Sequence, residues 1–404
     1  MTIQQDASSY KGRWVVVGAL TSGVSTALTS IFVIGLLLPE MSDELGLSPV
    51  QQGFLGASVV FGNLLLAIPL NLWLSRYRPW RVGLITFLGI GGFTLLQALA
   101  PNFALLIIGR IGLGISFIAN QSPRALIIQQ WSPPGRIHIT TGVVFAAIDL
   151  VMGTLFFLTP LLQGALGGWR QVLMLMGGIG LASAAAWLVL GRERDVGDYR
   201  ERLESQQENP LFSVLRYKQL WLMGLGMCAT SIGGTAFEVF WPTHAEKGLL
   251  VSKEVPGAVF GLSLFIAALM VYLFNVIPFF SSHRIATLAI SGLSFAAVNV
   301  GLLFTASATL LLLLSIPRGM GNIYFPLLMI MVYQLPKIRP REVAVGIAFM
   351  QTSIWLGAAI GPLIVGYIQE ATDDLRLALF SLAFTPTLLV LVALGLLALR
   401  RPRK

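Results

Sequence analysis

Five ionisable side chains interrupt runs that are otherwise apolar: Arg110, Arg124, Asp149, Glu238 and Arg318. An ionised group at the centre of a membrane-spanning helix costs at least about 2.5–3.5 kcal/mol, so each is a candidate for binding or proton transfer. A guanidinium presents a planar fork of donors that fits a carboxylate or a small oxyanion. Arg318 and Arg110 are therefore the candidate anion-binding groups. A carboxyl can carry a proton, which makes Asp149 and Glu238 the candidate proton-coupling groups. Arg124 sits near a segment end, where its long side chain can reach water.

The residues around Arg318 read IPRGMGNIYF. Pro317 removes a helix hydrogen bond, and Gly319 and Gly321 lower helix propensity, so this segment is expected to bend. Asn322 and Tyr324 supply hydrogen-bonding groups beside it. The plainer alternative is that Arg318 only bonds backbone carbonyls. Arg110 and Asp149 carry two readings: an arginine and a carboxylate that alternate partners during proton coupling, or a static buried ion pair. Glu238 lies close to a segment end and can simply reach water. Gln351, Thr352, Ser353 and Trp355, with Asn120, Gln121 and Ser122, are polar or aromatic candidates for a wet cavity or a helix interface. Of these, Gln351 and Trp355 are the candidate substrate contacts.

No arrangement points to an enzyme. Gly89–Gly92 and Gly177–Gly180 lie inside apolar runs and lack the strand–turn–helix of a phosphate cradle. His138, His244 and His283 are scattered over expected loops and Cys228 is the single cysteine, so no disulfide, metal cluster or cofactor is expected.

The elements that hold these residues are membrane helices. The chain has 404 residues, 55% hydrophobic and 11% charged, with a mean hydropathy of +0.79. Soluble domains carry about 25% charged residues. Twelve segments have the roughly 20 apolar residues that cross a bilayer: 14–38, 53–74, 82–100, 103–130, 139–163, 171–191, 219–242, 256–279, 286–305, 308–334, 343–369 and 376–399. The first is too long for a cleaved signal, whose apolar core spans about 7–15 residues, and is expected to be retained. A long internal repeat orders the rest. A shift of 203 residues takes Pro39 to Pro242, Arg81 to Arg284, Pro123 to Pro326 and Arg136 to Arg339. A shift of 202 takes PLLQG at 160–164 to PLIVG at 362–366. The chain is read as two six-helix halves, 1–191 and 219–404, joined by a charged linker, 192–218. On the 203-residue shift Arg110 meets Leu313 and Arg318 meets Ile115, so the charges break the symmetry of the scaffold.

Lysine and arginine set the expected orientation. With the N-terminus inside, twenty basic residues fall on the cytoplasmic side and only Arg170, Lys247, Lys253 and Arg376 on the other. Both termini are expected in the cytoplasm, in a multi-pass protein of the cell inner membrane. The net charge of +9 is then a topogenic signal and not a nucleic-acid footprint.

Twelve spans as six plus six, a charged central linker and a basic loop between spans two and three resemble the major facilitator superfamily over nearly the whole chain. The family's loop motif, G-x-x-x-D-R-x-G-R-R, falls on residues 71–80. Arg76 matches, Ser75 stands in place of the acid, and Arg78 in place of the glycine. The resemblance implies a gating loop at Ser75, Arg76 and Arg78, with a weaker or different latch between the halves. The span-four motif R-x-x-x-G-x-G is partly met by Arg110, Gly112 and Gly114. The antiporter signature G-x-x-x-G-P is absent from span five, where the chain reads LFFLTP, and appears in span eleven as GAAIGP. The stretches WSPPGR, TPLLQGALGGWR and FWPTHAEKGL resemble the branch of nitrate, cyanate and monocarboxylate-type carriers.

The expectation is an all-α membrane protein of the major facilitator fold. It would act as a monomeric secondary carrier that moves a small anion by alternating access with proton symport, without binding nucleic acid. Two alternatives stand beside it: drug or metabolite efflux by proton antiport, and a non-transporting receptor or assembly factor.

Overall fold

A computed structural model describes residues 12–74, 77–133, 137–193, 216–276, 282–335 and 338–400. No strand is found among them. Sixteen α-helices follow in order: α1 Arg13–Phe32, α2 Ile34–Leu45, α3 Pro49–Leu74, α4 Pro79–Ala98, α5 Phe103–Ala119, α6 Gln121–Trp131, α7 Ile137–Leu166 and α8 Trp169–Leu190. The second half holds α9 Lys218–Thr243, α10 Glu254–Val276, α11 Arg284–Phe304, α12 Ala308–Gly321, α13 Tyr324–Val332, α14 Pro340–Thr372, α15 Leu375–Ala383 and α16 Leu388–Arg400. Four consecutive pairs (α1/α2, α5/α6, α12/α13 and α15/α16) are single spans with a break, which leaves twelve membrane-length elements. Eleven are long and apolar enough to cross a bilayer, and the 26-residue α3 is the twelfth.

Two of the breaks have one cause. A proline ring collides with the carbonyl four residues earlier, which for Pro123 is Ala119 and for Pro326 is Asn322. Span four breaks at Asn120 and span ten at Asn322–Ile323, where Asn120 N–H turns to Phe117 O at 3.2 Å and Asn322 N–H to Gly319 O at 3.2 Å. The repeat seen in the prolines is thus a repeat of bends.

Apolar side chains cover the perimeter. Ile85, Val189 and Tyr367 are 68%, 73% and 70% exposed, a surface suited to hydrocarbon rather than to water.

The two halves meet at one end of the bundle along three helix pairs: α2 with α9, α3 with α14, and α7 with α10. The last two pairs are related by the repeat. The α2–α9 approach is closest at Gly35, where a Cβ would overlap the Glu238 carbonyl oxygen. Gly35 and Glu238 are themselves 203 residues apart, so the pseudo-twofold axis passes between them and only a glycine fits there. Polar ties reinforce this end. Glu370 accepts from Ser48 Oγ at 3.0 Å and from the Val50 backbone N–H at 2.9 Å, capping the first turn of α3 from the other half. Lys247 pairs with Asp43. No comparable helix pairing joins the halves at the opposite, basic end among the described residues. Gly35→Val should wedge the seam, at a cost of about 2–3 kcal/mol. That is enough to shift the balance of conformations roughly a hundredfold. Spin labels at Asp43 and Lys247 should report a longer separation in Gly35→Val, and an unchanged distance would show that the seam does not hold this state.

Candidate functional site

Arg318 lies in α12, one turn before the Asn322 break, and is 4% exposed. Three neighbouring spans close around it. Gly319 lets α10 approach until a Cβ there would stand 2.5 Å from Ser263 O. That approach places the Phe260 ring over the guanidinium, 5.1 Å from its centre, with Phe295 of α11 at 5.8 Å. Asn299, one turn further along α11, accepts from Arg318 Nη1 at 3.4 Å. Its amide donates in turn to Ala383 O at 3.4 Å, which fixes which face the oxygen presents. The charge partner comes from span seven: Glu238 Oε1 stands 3.7 Å from Arg318 Nη2. The Glu238 side chain keeps 35% exposure while its neighbours Phe237, Val239 and Phe240 are buried. Arg318 is thus walled in by two rings, and an accessible carboxylate sits before it. The pair is long for a salt bridge and is not bidentate. Ser294 Oγ donates to Pro317 O at 3.0 Å, steadying the backbone next to the proline.

The other candidates are placed as follows. Tyr324 stacks edge-on against Phe295 at 5.8 Å and so belongs to the same cluster. Asn322 forms the bend itself. Gln351 and Trp355 are one turn apart on α14 and share a face, and Trp355 meets Phe117 of the first half at 5.7 Å. Arg110 lies elsewhere. It is 1% exposed and donates to three backbone carbonyls: Ser30 at 3.3 Å, Ile31 at 3.0 Å and Leu55 at 3.3 Å. This clamp ties α1 and α3 to α5, whose close packing on α3 fixes the direction of the side chain. Asp149 is half-buried on α7 and forms no ion pair with Arg110 or any other described residue. Arg124 donates to Gln121 within its own helix. Arg78 sits 3.6 Å from Glu193, at the start of the linker. Ser75 and Arg76 lie outside the described residues.

Three members of the Arg318 cluster escaped the sequence reading: Asn299, Phe260 and Phe295. A single asparagine inside the apolar α11 was a usable signal. The phenylalanines carried none, because phenylalanine is ordinary in any span.

Two of the stretches that resemble the nitrate, cyanate and monocarboxylate-type branch, TPLLQGALGGWR and FWPTHAEKGL, carry ties between helix ends. Trp169 Nε1 donates to Glu44 Oε2 at 2.5 Å, Arg170 Nε to Glu44 Oε1 at 2.8 Å, and Arg170 Nη1 to Ala98 O and Ala100 O at 2.9 and 2.7 Å. Those carbonyls end span three. At the end of span nine, Trp241 Nε1 donates to Leu302 O at 2.8 Å and His244 meets Leu303 O at 3.2 Å. His244 is therefore buried at the start of a π-turn, His244–Gly248, that continues span seven, instead of lying in a loop.

Burial alone would raise the Glu44 carboxyl, but the Arg170 and Trp169 hydrogen bonds and the Arg170 charge outweigh it and hold the group below its ordinary value. A carboxylate lowered on folding adds stability above its unfolded pKa of about 4.3 and loses it as pH falls through the folded value. The carboxylate is 46% exposed, so the gain is under about 1 kcal/mol. The wild-type melting temperature should exceed that of Glu44→Gln at pH 7, and the gap should close below about pH 4. A gap that persists at low pH would assign the effect to packing.

A family model described as Major Facilitator Superfamily matches residues 20–337. The "Uncharacterized transporter YycB" of Bacillus subtilis (strain 168) is 25% identical over 376 residues, covering 89% of this chain and 88% of that protein. Two crystal structures of a bacterial homologue of the human lysosomal transporter Spinster share the fold at 18% identity. The inward-facing, unoccupied form gives a TM-score of 0.69 and covers 96% of this chain and 95% of its own. The inward-facing, occupied form gives 0.70 and covers 95% and 96%.

Proposed function

Because the chain belongs to the Major Facilitator Superfamily, and is thus a non-enzymatic membrane transporter, we propose that it moves a small organic or inorganic anion by alternating access coupled to protons. The observation that carries this reading is the Arg318–Glu238 pair, a buried guanidinium whose carboxylate partner is accessible and held at 3.7 Å. A substrate anion competes with Glu238 for the same fork of donors. A proton on Glu238 removes that competitor. Proton and anion then bind together, which is the requirement for symport, and the two rings on Arg318 exclude water and strengthen its hold on the anion. In this reading Tyr324, which packs on Phe295 beside Arg318, contacts the remainder of a small substrate, with Gln351 and Trp355 as further candidates.

The basic end of the bundle is assigned to the cytoplasm, by the excess of lysine and arginine there. The seam at Gly35 then closes the outer side, and the conformation opens inward. Cysteines placed within 192–218 should react with impermeant reagents only from the cytoplasmic face, and outside labelling would reverse the assignment. The nitrate, cyanate and monocarboxylate-type branch supplies the first substrates to try.

One observation favours a second reading. Asp149 has no ion pair among the described residues, and a carboxylate so placed suits a cationic substrate leaving by proton antiport. Thermal stability of the purified carrier distinguishes the two, since a ligand of the folded form raises it by mass action. Stabilisation by nitrate, cyanate or a small carboxylate, lost in Arg318→Ala, supports anion import. Stabilisation by lipophilic cations that survives Arg318→Ala but not Asp149→Asn supports efflux.

A further inference from the structure

Phe260 stands both at the contact between the halves and at the Arg318 site. On α10 it lies between Gly257 and Gly261, two points where this helix touches α7 of the first half. A Cβ at Gly257 would stand 2.6 Å from Phe156 O, and one at Gly261 would stand 2.6 Å from Gly153 O. Positions 257, 260 and 261 share a face of the helix, so the Phe260 ring is held at the seam. Phe156 of α7 meets it at 6.4 Å, tilted by 56°, and Trp241 of α9 meets it edge-on at 5.4 Å. Its face is turned to Arg318, whose guanidinium carbon lies 5.1 Å from the ring centre. Phe260 and Phe156 are each 4% exposed. One ring is thus shared by a charged site and a joint.

The repeat puts smaller residues at the equivalent joint. The α3–α14 pair is the mate of α10–α7. The 203-residue shift sets Ala57 where Phe260 stands, and the 202-residue shift sets Ala358 where Phe156 stands. Both alanines are buried, so a seam of this kind closes without rings. The helix packed on α3 carries Ile115 where α12 carries Arg318. The joint without the rings is therefore also the joint without the arginine, which ties the ring pair to the charge and not to closure as such.

We propose that Phe260 is a positioning residue of the transport cycle, which makes the hold on Arg318 depend on closure of the α7–α10 seam. With the seam shut, Phe156 and Trp241 back the ring, and its face lies over the guanidinium. When the halves part at this end, Phe156 leaves with the first half and the ring loses its support on that side. The cation–π contact and the closed seam stabilise each other, and by linkage whatever weakens one weakens the other by the same factor. Glu238 joins the same two places from the far side of Arg318. Its side chain pairs with the guanidinium while its carbonyl lies at the Gly35 contact. The consequence for transport rests on Arg318 as the anion site, and the link to the seam rests on the geometry of the ring.

A double-mutant cycle on the full-length carrier, read by spin-label distances, tests the link without a ligand. Labels at Leu99 and Leu250, 63% and 85% exposed and on opposite halves, report the seam in a Cys228→Ala background. Phe260→Met keeps an apolar side chain and loses the π face, and should raise the ratio of open to closed seam about tenfold. Arg318→Met should do the same. The two together should shift the ratio no further than either alone, because both remove one contact. Phe260→Tyr retains the face and should keep the wild-type distances, which decides the matter if Arg318→Met does not fold. Shifts that add, an unmoved seam in Phe260→Met, or a Phe260→Tyr carrier that behaves as Phe260→Met would each overturn the proposal. The anion reading fails by a different result: thermal stabilisation by nitrate, cyanate or a small carboxylate that survives Arg318→Ala would remove Arg318 from the substrate site, whatever the cycle shows.

Discussion

Arg110→Ala should lose at least roughly 3 kcal/mol of stability and yield little folded protein, taking the low end of about 1–3 kcal/mol for each buried acceptor left without a donor. The guanidinium is 1% exposed and joins the carbonyls of Ser30, Ile31 and Leu55. In the membrane interior no water replaces such a donor. Ser30 and Ile31 lie just before the turn at Val33 that separates α1 from α2, where helix carbonyls are most in need of outside partners. Arg110→Lys keeps the charge but not the fork, and should recover only part of the stability while leaving uptake per folded molecule within a few-fold of wild type. A stable Arg110→Lys carrier with uptake abolished would return Arg110 to the transported anion.

Arg318→Lys should lower anion uptake about a hundredfold with little change in folding. A lysine ammonium is a point charge without the planar fork, and two displaced charge-assisted bonds correspond to about 3 kcal/mol. Glu238→Gln should separate binding from energy. The anion should still exchange in counterflow, because an amide competes weakly for Arg318, while accumulation driven by a proton gradient should vanish. Asp149→Asn is the matched comparison. If it abolishes accumulation and Glu238→Gln does not, the proton travels through span five and the pairing described here serves substrate alone.

These two arginines show how far the residues speak before the chain folds. Each was visible as a charge in an apolar run and as a candidate for an anion, with Arg318 favoured by the loose helix around it. Nothing within eight residues of either told that Arg110 would meet only carbonyls, whereas Arg318 would meet Glu238 across a helix interface. The difference lies in which face of each span turns to which neighbour. Span four packs on span two through Gly114, where a Cβ would overlap Val59 O, and this carries Arg110 into the interior of its own half. Span ten packs on span eight through Gly319, and this sets Arg318 among Phe260, Asn299 and Glu238.

The sequence alone determined what depends on local chemistry and on the solvent. Helices of membrane length follow from the need to satisfy every backbone group inside hydrocarbon. The two halves follow from the spacing of prolines and charges, which also puts Pro123 and Pro326 beside the breaks of spans four and ten, although Pro317 and four other prolines lie inside unbroken helices. What the tertiary structure decided is which side chains meet. The Gly35 seam, the Glu370 cap on α3 and the Arg318–Glu238 pair join residues of different helices, in the first two cases of different halves. Apolar spans in lipid can rotate about their axes with little change in their solvation, so hydrophobicity does not fix their facing surfaces. Close contact at glycines and the pairing of buried polar groups do.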